Sequence, residues 1–94
     1  MGVITSIRHK GLAEFFYTSN RRGIPANFSV RLGRILDILD ECSKPQEMDL
    51  PGYRFHALKG NRAGTYAVNV SANWRLTFQF SEANAVNVDL EDYH

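Results

Sequence analysis

The 94-residue sequence has little cysteine, no long apolar run and almost no net charge. Its single cysteine, Cys42, excludes an internal disulfide and leaves no second thiol to share a zinc ion. Cys42 falls within a helical pattern, so a buried, inert thiol that packs like a small hydrophobe is expected rather than a nucleophile. No apolar stretch approaches the length needed to span a bilayer. Residues 1–8 lack the apolar stretch and the small-residue cleavage site of a secretory signal. A cytoplasmic protein that does not engage a membrane is expected. His9, His56 and His94 have no ligand spacing such as H-E-x-x-H, so neither a functional metal nor another cofactor is expected. A glycine-rich phosphate loop and a Ser-His-Asp arrangement are missing as well.

What is present suits one folded domain spanning residues 1–94, with a hydrophobic fraction of 44% and a modest core. The formal net charge of +1 hides blocks of opposite sign. Residues 1–34 carry Arg8, Lys10, Arg21, Arg22, Arg31 and Arg34 against Glu14, and residues 35–50 carry five acids against Lys44. Residues 51–75 hold Arg54, Lys59, Arg62 and Arg75 with no acid, whereas residues 76–94 hold Glu82, Asp89, Glu91 and Asp92 with no lysine or arginine. Such blocks either interleave and cancel on folding or leave a basic face for a polyanion.

Hydrophobic periodicity divides the chain into helices followed by strands. Val3 to Arg8 has the β-branched content of a short strand. A short helix is expected from about Lys10, with Leu12, Phe15 and Phe16 on one side. After the breaker-rich Asn20–Pro25 loop, a longer helix begins near Asn27 as N-cap. Phe28, Leu32, Ile35, Leu36 and Leu39 form its apolar stripe, and Ser43-Lys44-Pro45 ends it. From Tyr53 the period becomes two. Tyr53, Phe55 and Ala57 alternate with Arg54, His56 and Leu58; Tyr66, Val68 and Val70 alternate with Thr65, Ala67 and Asn69. Trp74, Leu76, Phe78 and Phe80 then alternate with Arg75, Thr77 and Gln79, and Val86, Val88 and Leu90 with Ala85, Asn87 and Asp89. Short connections make this an antiparallel meander. The expected fold is α+β, with two N-terminal helices packed on one face of a mostly antiparallel sheet.

With the apolar sets toward the helices, the opposite face carries Arg54, His56, Asn69, Arg75, Thr77, Gln79 and Asn87. His56 and Arg75 then stand two strands apart, about 10 Å, with room for a phosphodiester between them. A guanidinium such as that of Arg75 holds two phosphate oxygens at once, and Lys59 and Arg62 sit in the adjoining hairpin. The last strand delivers Asp92-Tyr93-His94, giving an aromatic ring that can stack a base and a second imidazole.

Three segments are together recognisable: Pro51–Gly64, Asn73–Phe78, and the terminal Asp92-Tyr93-His94. With Lys10-Gly11-Leu12 and Phe15-Phe16, they make the whole chain resemble the HigB toxins of the RelE superfamily. One departure is Phe55, where a leucine is common, on the core face and away from the chemistry. The resemblance implies the toxin of a type II toxin–antitoxin system, which enters the ribosomal A site and cuts mRNA there without a metal. It implies neutralisation by a HigA-type helix-turn-helix antitoxin, through which alone the toxin reaches operator DNA. Family positions carry over to His56, Lys59, Arg75, Asp92, Tyr93 and His94 as catalytic candidates. Arg54, Arg62 and Asn73 are the further residues expected to contact the RNA. The chemistry fits these residue types. RNA supplies its own 2′-hydroxyl nucleophile, so the protein needs cations on the phosphate and groups that take and give protons. Two other readings stay open here: a ParE-like gyrase poison, and an RNA- or ribosome-binding module that does not cut.

Overall fold

The computed structural model describes residues 2–92; Met1, Tyr93 and His94 lie outside the described residues. Helix α1 spans Lys10–Thr18 and is capped by His9, whose Nδ1 accepts the Leu12 N–H at 3.0 Å. That bond gives His9 a structural task. Leu12 is fully buried, while Phe15 and Phe16 are half-buried against the core. Gly11 meets the backbone of Gly23, and a Cβ on Gly11 would sit 2.9 Å from both Cα and O of Gly23. The close approach seats the Asn20–Pro25 loop on α1.

Helix α2 spans Ser29–Leu39, and Phe28, Leu32, Ile35, Leu36 and Leu39 are all buried as the stripe requires. Its ends differ from expectation. Asn27 lies inside a 3₁₀ turn, Ala26–Phe28, and Phe28 takes the cap position with no side-chain cap bond. The Ser29 N–H and Oγ–H both donate to Ala26 O, which makes an Asn27 cap unnecessary. At the other end α2 stops at Leu39 rather than at Ser43–Pro45, because the next amides tighten to i→i+3 bonds, Glu41 to Ile38 and Cys42 to Leu39. Cys42 is buried, its thiol donates to Ile38 O at 3.2 Å, and burial with the Glu47 and Glu41 charges pushes its pKa up. A thiol so placed is inert.

The sheet is an antiparallel meander in the order β1 (His56–Ala57), β2 (Tyr66–Asn69), β3 (Trp74–Ser81) and β4 (Asn84–Asp92). Val68, Val70, Leu76, Phe78, Ala85, Val88 and Leu90 join the helical stripe in one core cluster. The α+β architecture is therefore as expected. Three details are not. The alternation over Tyr53–Leu58 yields a strand of only two residues, because Arg54 adopts a positive φ of 51° that breaks the extended path. Ala57 is consequently exposed rather than in the core. The Val3–Arg8 segment runs parallel to β4 but makes only isolated bridges, Ile4 to Ala85 and Ile7 to Val88. Third, β4 carries a bulge. Thr77 pairs with Asp89 and Gln79 with Val86, so Asn87 and Val88 together face the single residue Phe78. Asn87 has a φ of 52° there. The extra residue puts Ala85 in the core and turns Val86 out beside Gln79, correcting the expected Val86–Val88–Leu90 core set.

Candidate active site on the polar sheet face

Strand register assembles three rows on the face away from the helices. His56 lies opposite Ala67, Ala67 opposite Thr77, and Thr77 opposite Asp89. Two pairs along, Asn69 lies opposite Arg75 and Arg75 opposite Glu91. Two residues the other way along β3, Gln79 donates through Nε2 to Thr65 Oγ1 at 2.8 Å and accepts from Asn87 Nδ2 at 2.7 Å. His56 and Arg75 are thus two strands and two pairs apart, about 12 Å between backbones at standard strand spacings.

The second row is held by one carboxylate. Glu91 accepts from Arg62 Nη1 at 3.1 Å and Nη2 at 2.5 Å, an end-on fork. It accepts from Arg75 Nε at 3.1 Å and Nη2 at 3.0 Å, and from the Thr77 hydroxyl at 3.3 Å. Arg62 belongs to the β1–β2 connection and Glu91 to β4, so the Arg62 side chain crosses β2 and β3 to reach it. Ala67 and Thr77 are buried on this face, which was expected to be open. The Arg62 bond, then those from Arg75, hold the Glu91 carboxyl below the usual carboxylate range, and burial only partly opposes them. Its bond to Glu91 in turn pushes Arg62 up. The cationic patch expected from residues 51–75 is therefore interleaved with an acid of the C-terminal block.

His56 is exposed, and its Nδ1 lies 2.9 Å from the Arg54 carbonyl oxygen. A carbonyl only accepts, so Nδ1 carries a proton, and the tautomer this contact selects is the one with its lone pair on Nε2. The positive φ of Arg54 is the local bend that brings this carbonyl beneath the ring. A face with one imidazole lone pair and two oriented guanidiniums suits proton transfer at an anionic ester. Among the described residues, no group of three or more His, Cys, Asp or Glu side chains is placed to hold a metal ion.

A family model for the RelE-like toxin of the type II toxin–antitoxin system HigB matches residues 5–94. The chain belongs to this HigB toxin family. Over 92 residues it is 38% identical to Endoribonuclease HigB of Proteus vulgaris, covering 98% of this chain and 100% of that one. It is 33% identical over 88 residues to Toxin HigB-1 of Vibrio cholerae serotype O1, covering 92% of this chain and 93% of the relative. Membership of the HigB family makes an antitoxin its partner. No helix among the described residues is long and apolar enough to cross a membrane.

On this HigB fold the expected site residues fall into three groups. His56 and Arg75 share the polar face, and Arg62 joins Arg75 through Glu91. Arg54 and Lys59 are exposed on either side of β1, Lys59 immediately before the 3₁₀ turn Gly60–Arg62. Asn73 and Asp92 gather at the sheet end where β3 begins, since Asp92 pairs with Trp74 and Asn73 precedes it in an exposed turn. Tyr93 and His94 follow Asp92 in sequence but lie outside the described residues. Glu91 is the residue that sequence reasoning missed. Its signal was its place in β4, two residues from Asp89 and therefore on the same face as Arg75.

Proposed function

We propose that the chain is a ribosome-dependent endoribonuclease that inhibits translation by cutting mRNA in the ribosomal A site, without a metal. The arrangement that carries this reading is His56, with its lone pair on Nε2, on the same sheet face as the Arg75–Glu91–Arg62 cluster. His56 Nε2 takes the 2′-hydroxyl proton as that oxygen attacks the adjacent phosphorus. The P–O5′ bond then breaks, leaving a 2′,3′-cyclic phosphate, and the departing 5′ oxygen takes a proton from His94. Arg75, held in orientation by Glu91, and Lys59 stabilise the added negative charge. Tyr93 stacks a neighbouring base, Asp92 orients a neighbour, and Arg54, Arg62 and Asn73 hold the RNA strand. The protein acts in the cytoplasm and is neutralised by a HigA-type helix-turn-helix antitoxin, which also supplies all contact with operator DNA. The relative named Endoribonuclease HigB supports the cutting activity.

The test is single-turnover cleavage of mRNA on programmed ribosomes, comparing the parent with Arg75→Ala. The parent cuts within the A-site codon, leaves free RNA nearly intact, and keeps its rate when transition metals are removed by a chelator that spares magnesium. Arg75→Ala stays folded by circular dichroism and loses about 10²-fold or more in rate. A parent protein that binds programmed ribosomes without cutting would leave a binding module in its place.

A further inference from the structure

Beyond the reacting groups, the polar face holds a cleft of about 190 Å³, of whose lining the mechanism uses only Arg62. Thr65, Thr77 and Gln79 line it from the sheet, with Arg62 from the β1–β2 connection and Arg8, Asn87 and the acid Asp89 from the β4 side. We infer that this cleft is a nucleobase subsite of the RNA strand, read chiefly by the Asn87 amide. The inference rests on the RNA-cutting reading above.

Three observations support it independently of the catalytic residues. The first is the bulge. Asn87 is exposed and held at a φ of 52°, a conformation uncommon outside glycine, in the middle of a nine-residue strand. Bulges next to active sites serve to aim a side chain, and here the Asn87 amide is aimed at Gln79. The second is the bond order in the row. Gln79 Nε2 donates to Thr65 Oγ1, and Gln79 Oε1 faces Asn87 and takes one of its Nδ2 protons. That leaves Asn87 Oδ1 and the second Nδ2 proton still to be matched. A side-by-side acceptor and donor is what an amide needs to pair with a base edge. The third is charge and size. The Arg8 N–H bonds Val88 O at 2.7 Å, which ties this arginine of the N-terminal basic block to the bulge, opposite Arg62. The Arg8 and Arg62 side chains share the walls with the Asp89 carboxylate, and Arg62 is already bound to Glu91, so what they offer a base is chiefly guanidinium planes that can lie against a ring. The volume is below the roughly 300–1,000 Å³ of sites that enclose drug-sized molecules, which fits one base rather than a larger ligand.

Because the cleft lies on the same face as His56, and Thr77 in its wall belongs to the row of His56, the base it takes is close to the scissile phosphate. The cleft therefore sets a nucleotide preference near the cut. Asn87→Asp keeps the shape and the tolerance of positive φ but can only accept hydrogen bonds when ionised, and Asn87→Gly keeps the backbone while deleting the amide. Cleavage sites are sequenced from an mRNA library with a randomised A-site region, on ribosomes, for parent and both variants. The expected result is a preference at one nucleotide position that Asn87→Gly flattens and Asn87→Asp redirects toward bases presenting donors, each by about tenfold in relative cutting. In parallel, isotope-labelled protein is titrated with short homopolymeric oligoribonucleotides, and the side-chain amide signals of Asn87 and Gln79 move by amounts that differ between bases. Unchanged site preferences in both variants, with cutting intact, overturn the subsite and leave the RNA-cutting reading standing. Amide signals that move in a protein that cuts nothing keep the subsite and remove the nuclease. No cutting together with stationary amide signals removes both.

Discussion

Replacing Glu91 by glutamine tests whether one carboxylate holds the site together. The change keeps shape and one acceptor oxygen, removes the charge, and turns an NH₂ group toward a guanidinium. Shielded hydrogen bonds to charged groups contribute about 1.5–3 kcal/mol and exposed ion pairs about 0–1. The Arg75 and Glu91 side chains are 19% and 21% exposed, so their pair belongs toward the first range. Arg62 is 41% exposed, so its share belongs to the second. Allowing for the oxygen that remains, Glu91→Gln should cost about 1–2 kcal/mol at pH 7. With a urea slope of about 1–3 kcal/mol/M, the midpoint falls by roughly 1 M. The pH dependence identifies the cause. The Glu91 carboxyl titrates below its ordinary value of 4.5 in the folded protein, so its stabilisation is complete above that pH and is lost as pH falls through the lowered folded value. Glutamine does not titrate. The gap between parent and variant should therefore be full at pH 7 and close progressively below about pH 4.5. Equal midpoints at pH 7, or a gap that persists unchanged into acid, would refute the reasoning.

Gly11→Ala should destabilise by about 1–3 kcal/mol although alanine favours helices, because the new methyl meets the Gly23 backbone; a gain in thermal midpoint would show that the loop yields at no cost. Trp74→Ala should lose about 2–3 kcal/mol, less than the 3–5 of a fully buried aromatic, since Trp74 is half-buried against Phe28 at 5.8 Å; chemical denaturation measures it. Deleting His94 should lower single-turnover cleavage by about 10²–10⁴-fold while ribosome pelleting is retained, as expected for loss of an acid whose removal spares the cations. An unchanged rate would move the proton donation elsewhere.

Most of the fold was legible because periodicity and burial agree. The α2 stripe and the alternation of Trp74, Leu76 and Phe78 with Arg75 and Thr77 each bury one face, and one face is what a pattern specifies. The misses in β1 and β4 share a cause. At Arg54 and Asn87 a non-glycine residue takes positive φ, and neither composition nor alternation marks that conformation in advance. One such residue cut β1 to two residues, and the other shifted the phase of β4 so that Ala85, not Val86, is buried. A two-residue period can be read only until the first bulge.

The same argument explains what was visible at the site. Facing is a property of one strand, so placing His56 and Arg75 on the polar side needed only local alternation. Pairing is a property of two strands and a register, and Glu91 meets Arg75 only because Leu76 sits opposite Leu90 rather than a residue to either side. The charge blocks held half of that information: a run with no acids followed by a run with no lysine or arginine can meet wherever a meander folds one against the other. What they could not give is how the charges divide. The structure places one carboxylate between two arginines, and so converts a patch that would attract any polyanion into a cluster with a fixed direction. On the proposed mechanism, an RNA phosphate arriving there would meet guanidiniums whose orientation is already set, which would lower the reorganisation demanded at the moment of reaction.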